Sequence, residues 1–97
     1  MRTLKLMPEY DSYPLWDVTE ELSLNIDPRM LPISPLLSEA IMNWADRFQQ
    51  TLNQVYPPES GFEDPQAAKE FRREGERLAE QLADELGEEY SVTYQPP

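Results

Sequence analysis

Glu89-Tyr90-Ser91-Val92-Thr93-Tyr94-Gln95 is the stretch that separates a mixed fold from a purely helical one. Tyr90, Val92 and Tyr94 fall on one face, with Ser91 and Thr93 on the other. This is the two-residue period of a half-buried strand, bounded by Gly87 and by Pro96-Pro97. Thr3-Leu4-Lys5-Leu6-Met7 mirrors it near the other end, with Leu4 and Leu6 on one face and Pro8 as the stop. The two are natural partners in one small sheet. An isolated pair of strands is marginal in water, so the sheet needs helices on its apolar face or a third strand.

Two helices are marked by caps and by periodicity. Ser34 caps the first, Pro35 takes its first position, and Leu37, Ile41, Trp44, Phe48 and Leu52 follow at steps of 4, 3, 4 and 4. The pattern fades near Asn53 and stops by Pro57-Pro58. Asp64 and Pro65 open the second helix, whose stripe is Phe71, Gly75, Leu78, Leu82 and Leu86 before Gly87 ends it. Matching stripes joined by about eleven residues, Gln54 to Asp64, predict an antiparallel hairpin with a loop longer than the usual ~2 to 8 residues. Glycine inside a helix costs ~1 kcal/mol relative to alanine, so Gly75 in the stripe predicts a close contact with Trp44 or Phe48 of the facing helix. On the solvated face, Arg72 and Arg73 stand at helical spacing from Glu76, which predicts ion pairs that partly offset an acidic surface.

Pro8 to Pro35 holds five prolines in 28 residues, a long and stiffened connection. Leu22, Leu24 and Ile26 alternate with Ser23 and Asn25, which permits a short third strand ended by Asp27-Pro28. A turn of helix over Leu15 to Leu22 followed by extended chain fits as well, and periodicity does not arbitrate over so few residues. The expectation is one α+β domain over residues 1–97, an antiparallel two-helix hairpin packed on a small sheet of two or three strands that includes both terminal ones.

Composition removes most chemistry. The 97 residues contain no cysteine and no histidine, so there is no disulfide framework, thiolate nucleophile or Cys-based zinc site, and the commonest general base is missing. Adjacent acidic pairs such as Glu20-Glu21 and Glu88-Glu89 point apart on regular structure, and no calcium-loop pattern occurs. The chain therefore reads as a non-enzymatic binding protein without metal or cofactor. No stretch approaches the ~18 apolar residues of a membrane span, and the run at Met1 to Leu6 is too short for a signal peptide, which points to the cytoplasm. Its net charge of −11 repels nucleic-acid phosphates and anionic lipid. That value lies outside the magnitude of ~2 to 8 usual for a small domain. It fits either a basic protein partner, met by electrostatic steering, or solubility alone in a monomer.

Glu9 to Glu21 is the most informative segment for binding. It carries the five carboxylates Glu9, Asp11, Asp17, Glu20 and Glu21 with Tyr10, Tyr13 and Trp16, and no basic residue occurs from Met7 through Pro28. Rigid aromatics among carboxylates suit a contact with a basic surface. Trp16 and Leu15 also fit as core residues closing over the sheet, leaving Tyr10 and Tyr13 as the interface aromatics. A second candidate patch is Pro57 to Asp64. There Phe62 is placed to staple onto the second helix, while Glu59 and Glu63 are free to meet a partner or to favour the helix N-terminus.

Leu6-Met7-Pro8-Glu9-Tyr10, Tyr13-Pro14-Leu15-Trp16, Leu31-Pro32-Ile33-Ser34, Trp44-Ala45 with Leu52-Asn53, Ser60-Gly61-Phe62 and Phe71 with Gly75 span nearly the whole chain. Together they resemble a family of small acidic bacterial immunity proteins of polymorphic toxin systems, contact-dependent growth inhibition among them. The resemblance implies a stoichiometric inhibitor of a cognate toxin domain, commonly a basic nuclease, in the cytoplasm of the producing cell. Tyr10, Tyr13 and Trp16 would then anchor the toxin while the neighbouring carboxylates steer it. The alternative from composition is a small acidic adaptor or subunit of an intracellular assembly.

Overall fold

The computed structural model describes residues 1–97. Its regular elements are β1 (Arg2–Leu6), β2 (Leu15–Asp17), β3 (Leu24–Ile26), α1 (Pro35–Gln49), α2 (Pro65–Leu86) and β4 (Tyr90–Tyr94), with short 3-10 turns at Pro28–Met30, Pro57–Glu59 and Gly87–Glu89. The sheet has four strands in the order β3-β2-β1-β4. The two terminal strands pair as expected, and they do so in parallel, Arg2 opposite Tyr90 and Leu6 opposite Tyr94. β2 lies antiparallel to β1, with Leu6 opposite Leu15 and Leu4 opposite Asp17, and β3 lies antiparallel to β2.

Two expectations are corrected here. The sheet has four strands rather than two or three, because Leu15 to Asp17 forms a strand and not a turn of helix. Three residues beside a proline give little periodicity, and the inward position of Asp17 breaks the apolar alternation that would have marked them. Trp16 also does not close over the core. Leu15 faces inward and is fully buried, which puts Trp16 on the opposite face, half-buried, with its indole N–H donating to the Met7 carbonyl at 3.1 Å.

The helices form where their caps place them. Ser34 Oγ accepts from the Leu37 amide at 3.2 Å, the Asp64 carboxylate accepts from the Gln66 amide at 2.9 Å, and Pro follows each cap. Gly87, at φ 78°, stops α2 in a conformation that side-chain-bearing residues avoid. α1 ends at Gln49, so Leu52 leaves the helical stripe and is only half-buried. The helices touch through Trp44 on Phe71, Arg47 on Glu74 and Ser34 on Glu85. The expected antiparallel hairpin is not a self-contained unit: α2 is seated chiefly on β4, while α1 packs on α2 and on the turn at Pro28–Met30.

Twelve buried residues form one cluster between the helices and the inner face of the sheet. Trp44 is its centre: 0% exposed, stacked on Phe71 with centroids 4.5 Å apart, its indole N–H on the Phe71 carbonyl at 3.0 Å. Gly75 is explained by the same contact. A Cβ there would lie 2.7 Å from Trp44 Cζ2 and 2.5 Å from Cε1 of Tyr94, so the ring of β4 joins the expected tryptophan in demanding a bare backbone. Phe48 takes no part in this contact, because it stacks on Tyr10 instead.

Candidate partner-binding surface

The β1–β2 loop is tied to the far end of α1. The Met7 amide donates to the Pro14 carbonyl at 2.8 Å, closing the loop, and Pro8 and Pro14 are buried beneath it. Tyr10 stacks on Phe48 with ring centroids 4.4 Å apart and planes inclined by 10°. Thr51 spends its one hydroxyl proton on the Phe48 carbonyl at 2.6 Å, so the Tyr10 hydroxyl, 2.7 Å away, is the donor to Thr51. Asp11 occupies the left-handed region at φ 59°, which aspartate tolerates better than most residues. Gln49 holds it there, accepting from the Asp11 amide at 2.8 Å and donating to the carboxylate at 2.9 Å. Tyr13 is fixed through its backbone, which exchanges hydrogen bonds of 2.9 and 2.7 Å with the Asn25 side chain, while its ring stays exposed.

The α1–α2 connection folds against the same end. The Gly61 amide donates to the Thr51 carbonyl at 3.1 Å, and the Asn53 amide donates to Ser60 Oγ at 2.7 Å. Asn53 Oδ1 in turn accepts from the amides of Val55 and Tyr56. Phe62 reaches the core by packing on Phe71 at 4.9 Å, one turn further into α2 than the first-turn staple expected of it. Glu59 and Glu63 remain exposed beside Val55, which is 95% exposed, and Tyr56. Sequence reasoning started this patch at Pro57 and so missed Val55 and Tyr56. Two apolar residues between the end of a helical stripe and Pro57-Pro58 were the available signal.

The ten residues expected to bind a partner thus separate. Glu9, Glu59 and Glu63 present free side-chain surface on two loops that are hydrogen-bonded to the end of α1 and the residues after it. Asp11 is exposed but held by Gln49, and Tyr13 is exposed on the side of the Asp27–Arg29 pair. Tyr10 lies between those loops and braces them, with only part of its ring at the surface. Trp16 is on the outer face of the sheet, opposite Lys5 on β1. Glu20 and Glu21 are exposed in the β2–β3 turn, at the other end of the sheet.

Asp17 does not reach the surface. It is 4% exposed and accepts from Arg2 through Nε at 2.7 Å and through Nη2, and from the Thr19 amide at 3.0 Å. Burial pushes its carboxyl up, but the hydrogen bonds from Thr19 and Arg2 outweigh burial and hold it below the usual carboxylate value. An inward carboxylate with its own arginine supports the fold and is not placed to steer a ligand.

The molecule has three ion pairs, Arg2 with Asp17, Arg29 with Asp27 and Arg47 with Glu74. The expected pairs of Arg72 and Arg73 with Glu76 do not form; the pairing arginine is Arg47, which crosses from α1 to α2. None of Glu9, Asp11, Glu59 and Glu63 has a cationic partner. No three carboxylates converge to hold a metal ion, and no helix is long and apolar enough to cross a membrane. At the loop end, Asp11 is held by Gln49 while Glu9, Glu59 and Glu63 are exposed and outside any ion pair, with Arg72 the cation that lines the adjoining groove beside Tyr10, Gly61 and Phe62.

Comparison with curated proteins finds no match. A family model described as Serratia CdiI immunity protein-like matches residues 2–97. The match takes in every element of the fold and both loops, so this chain belongs to the Serratia CdiI immunity protein-like family.

Proposed function

We propose that this protein is a non-enzymatic, monomeric immunity protein of the cytoplasm that neutralises a cognate toxin domain, a basic nuclease, by stoichiometric binding. Family membership implies toxin neutralisation. The observation that carries the placement of the interface is the braced loop pair: unpaired Glu9, Asp11, Glu59 and Glu63 beside exposed Val55 and Tyr56. The Tyr10–Thr51, Asp11–Gln49 and Gly61–Thr51 bonds, with Asn53 on the amides of Val55 and Tyr56, hold the backbones of the two loops before any partner arrives. Preorganised loops lower the ordering cost of association, and their charges raise its rate toward a basic target. Glu20 and Glu21 contribute to long-range steering from the other end of the sheet, and Trp16 offers a separate aromatic contact on its outer face.

The test is association kinetics with the cognate toxin domain. Replacing Glu9, Glu59 and Glu63 together by lysine is expected to slow association at least tenfold at low salt and to flatten its salt dependence, since exposed charges act within a Debye length of ~10 Å at 0.1 M salt. An unchanged association rate in the charge-reversed protein would put the interface elsewhere.

A further inference from the structure

β4 is an outermost strand of the sheet, and its outward side is bare. The Gln95 amide donates to the Leu6 carbonyl at 2.9 Å, which fixes the alternation: residues 91, 93 and 95 turn their backbone groups toward β1. The amides and carbonyls of Val92 and Tyr94 therefore point away from the sheet, and neither residue makes a backbone hydrogen bond on that side. The opposite edge, β3, has only three residues. β4 has five and contains no proline.

Beside this edge runs a groove of about 330 Å³ between β4 and α2, lined by Glu76, Ala79, Glu80, Ala83, Val92 and Tyr94. Its floor is apolar and its helix wall carries two carboxylates, neither in an ion pair. Tyr94 also carries the one buried side-chain polar atom in the molecule without a hydrogen-bond partner, its hydroxyl oxygen. Glu76 and Glu80 are one helical turn apart, a rise of ~6 Å. Alternate residues of a strand are spaced by ~6.8 Å and point to the same face.

We propose that the free edge of β4 receives an extended segment of the toxin as a fifth strand, and that this segment carries lysine or arginine at alternate positions facing Glu76 and Glu80. Backbone bonds to Val92 and Tyr94 supply the pairing, and the two carboxylates select for basic side chains in register, the division of labour seen when a peptide adds to a sheet edge. A second copy of this chain is a poorer occupant of the edge. Self-pairing would bring two chains of net charge −11 together along a wall that is itself acidic. The inference rests on the toxin-binding reading above, but it concerns a surface that the two loops do not share.

Amide hydrogen exchange on the intact protein, alone and with the cognate toxin domain, tests it. Strand addition slows exchange of the Val92 and Tyr94 amides at least tenfold in the complex. The double variant Glu76→Lys/Glu80→Lys, which alters exposed helix positions and leaves the helical signal intact, weakens the complex at least tenfold. A complex that forms while both amides exchange at their free rates overturns the strand inference and leaves the loop interface standing. Protection that rises with concentration in the toxin-free protein assigns the edge to self-pairing and also overturns it. Failure to form any complex removes the immunity reading, and the strand inference with it.

Discussion

The two faces of the sheet carry the same alternation and do opposite things. Inward, Leu4, Leu6 and Leu15 are fully or almost fully buried under the helices, with Val92 and Tyr94 packed against them. Outward, Thr3, Lys5, Trp16, Asn25, Ser91 and Thr93 face no helix, and not one of them is a carboxylate. In a chain with nineteen acidic residues and eight basic ones, that omission matters. The strands supply packing on one side and a neutral to weakly positive surface on the other, while loops and helix surfaces carry the excess negative charge. Apart from the Arg2–Asp17 pair, packing and net charge are thus carried by different residues, so surface charge can be altered while the core is kept.

Substitutions on the inner side should have the largest effects. Trp44→Ala removes the centre of the cluster together with its stacking on Phe71, and is expected to cost about 3–5 kcal/mol in denaturant unfolding; a loss below about 1 kcal/mol would show that the core does not depend on this ring. Asp17→Asn is expected to cost about 1–3 kcal/mol, because it leaves the Arg2 guanidinium without its charged acceptor. That loss depends on pH in a defined direction. The folded carboxyl titrates below the unfolded value of about 3.9. Its contribution is therefore complete well above that value and disappears as pH falls through the folded one. Wild type and Asp17→Asn should differ most near neutral pH and converge in acid; a constant gap down to pH 2 would contradict the assignment.

Gly75→Ala tests the closest contact on the inner side. Alanine gains about 1 kcal/mol of helix propensity, but its methyl would sit 2.5 Å from Tyr94 and 2.7 Å from Trp44, where overpacking typically costs about 1–3 kcal/mol. A small net fall in melting temperature is expected, and a rise would mean that the rings yield freely. On the outer face of the same strand as Tyr94, Thr93→Gln should change stability by less than about 0.5 kcal/mol. A larger loss would mean that the outer face contributes to the fold after all.

Much of the fold was legible because local signals agreed. Ser34-Pro35 and Asp64-Pro65 opened the helices, Gly87 closed the second, and the stripes from Leu37 and Phe71 named most of the buried helical residues. β2 was hidden because its two inward residues are Leu15 and Asp17, and a carboxylate inside becomes intelligible only when Arg2, fifteen residues earlier, is seen beside it. The same long-range partner removes Asp17 from the binding residues. Tyr10 could be recognised as special but not as a brace, since Phe48 and Thr51 come to it only through the tertiary fold. Exposed carboxylates such as Glu9 and Glu59 were readable as surface, because nothing nearby in sequence could neutralise them. The groove beside β4 had no local signature, because its walls come from a helix and a strand that meet only in the folded chain.

The parallel pairing of β1 with β4 has a mechanical consequence. Tension applied between the first and last residues pulls β1 from its leading end and β4 from its trailing end, and in a parallel pair those ends lie at opposite ends of the ladder. The force therefore runs along the strands in shear and loads the whole row of slanted hydrogen bonds together, instead of peeling them one by one. A pulling machine that grips either terminus must break this clamp before it reaches the helices, and forced unfolding of this small protein should resist more than its size alone suggests.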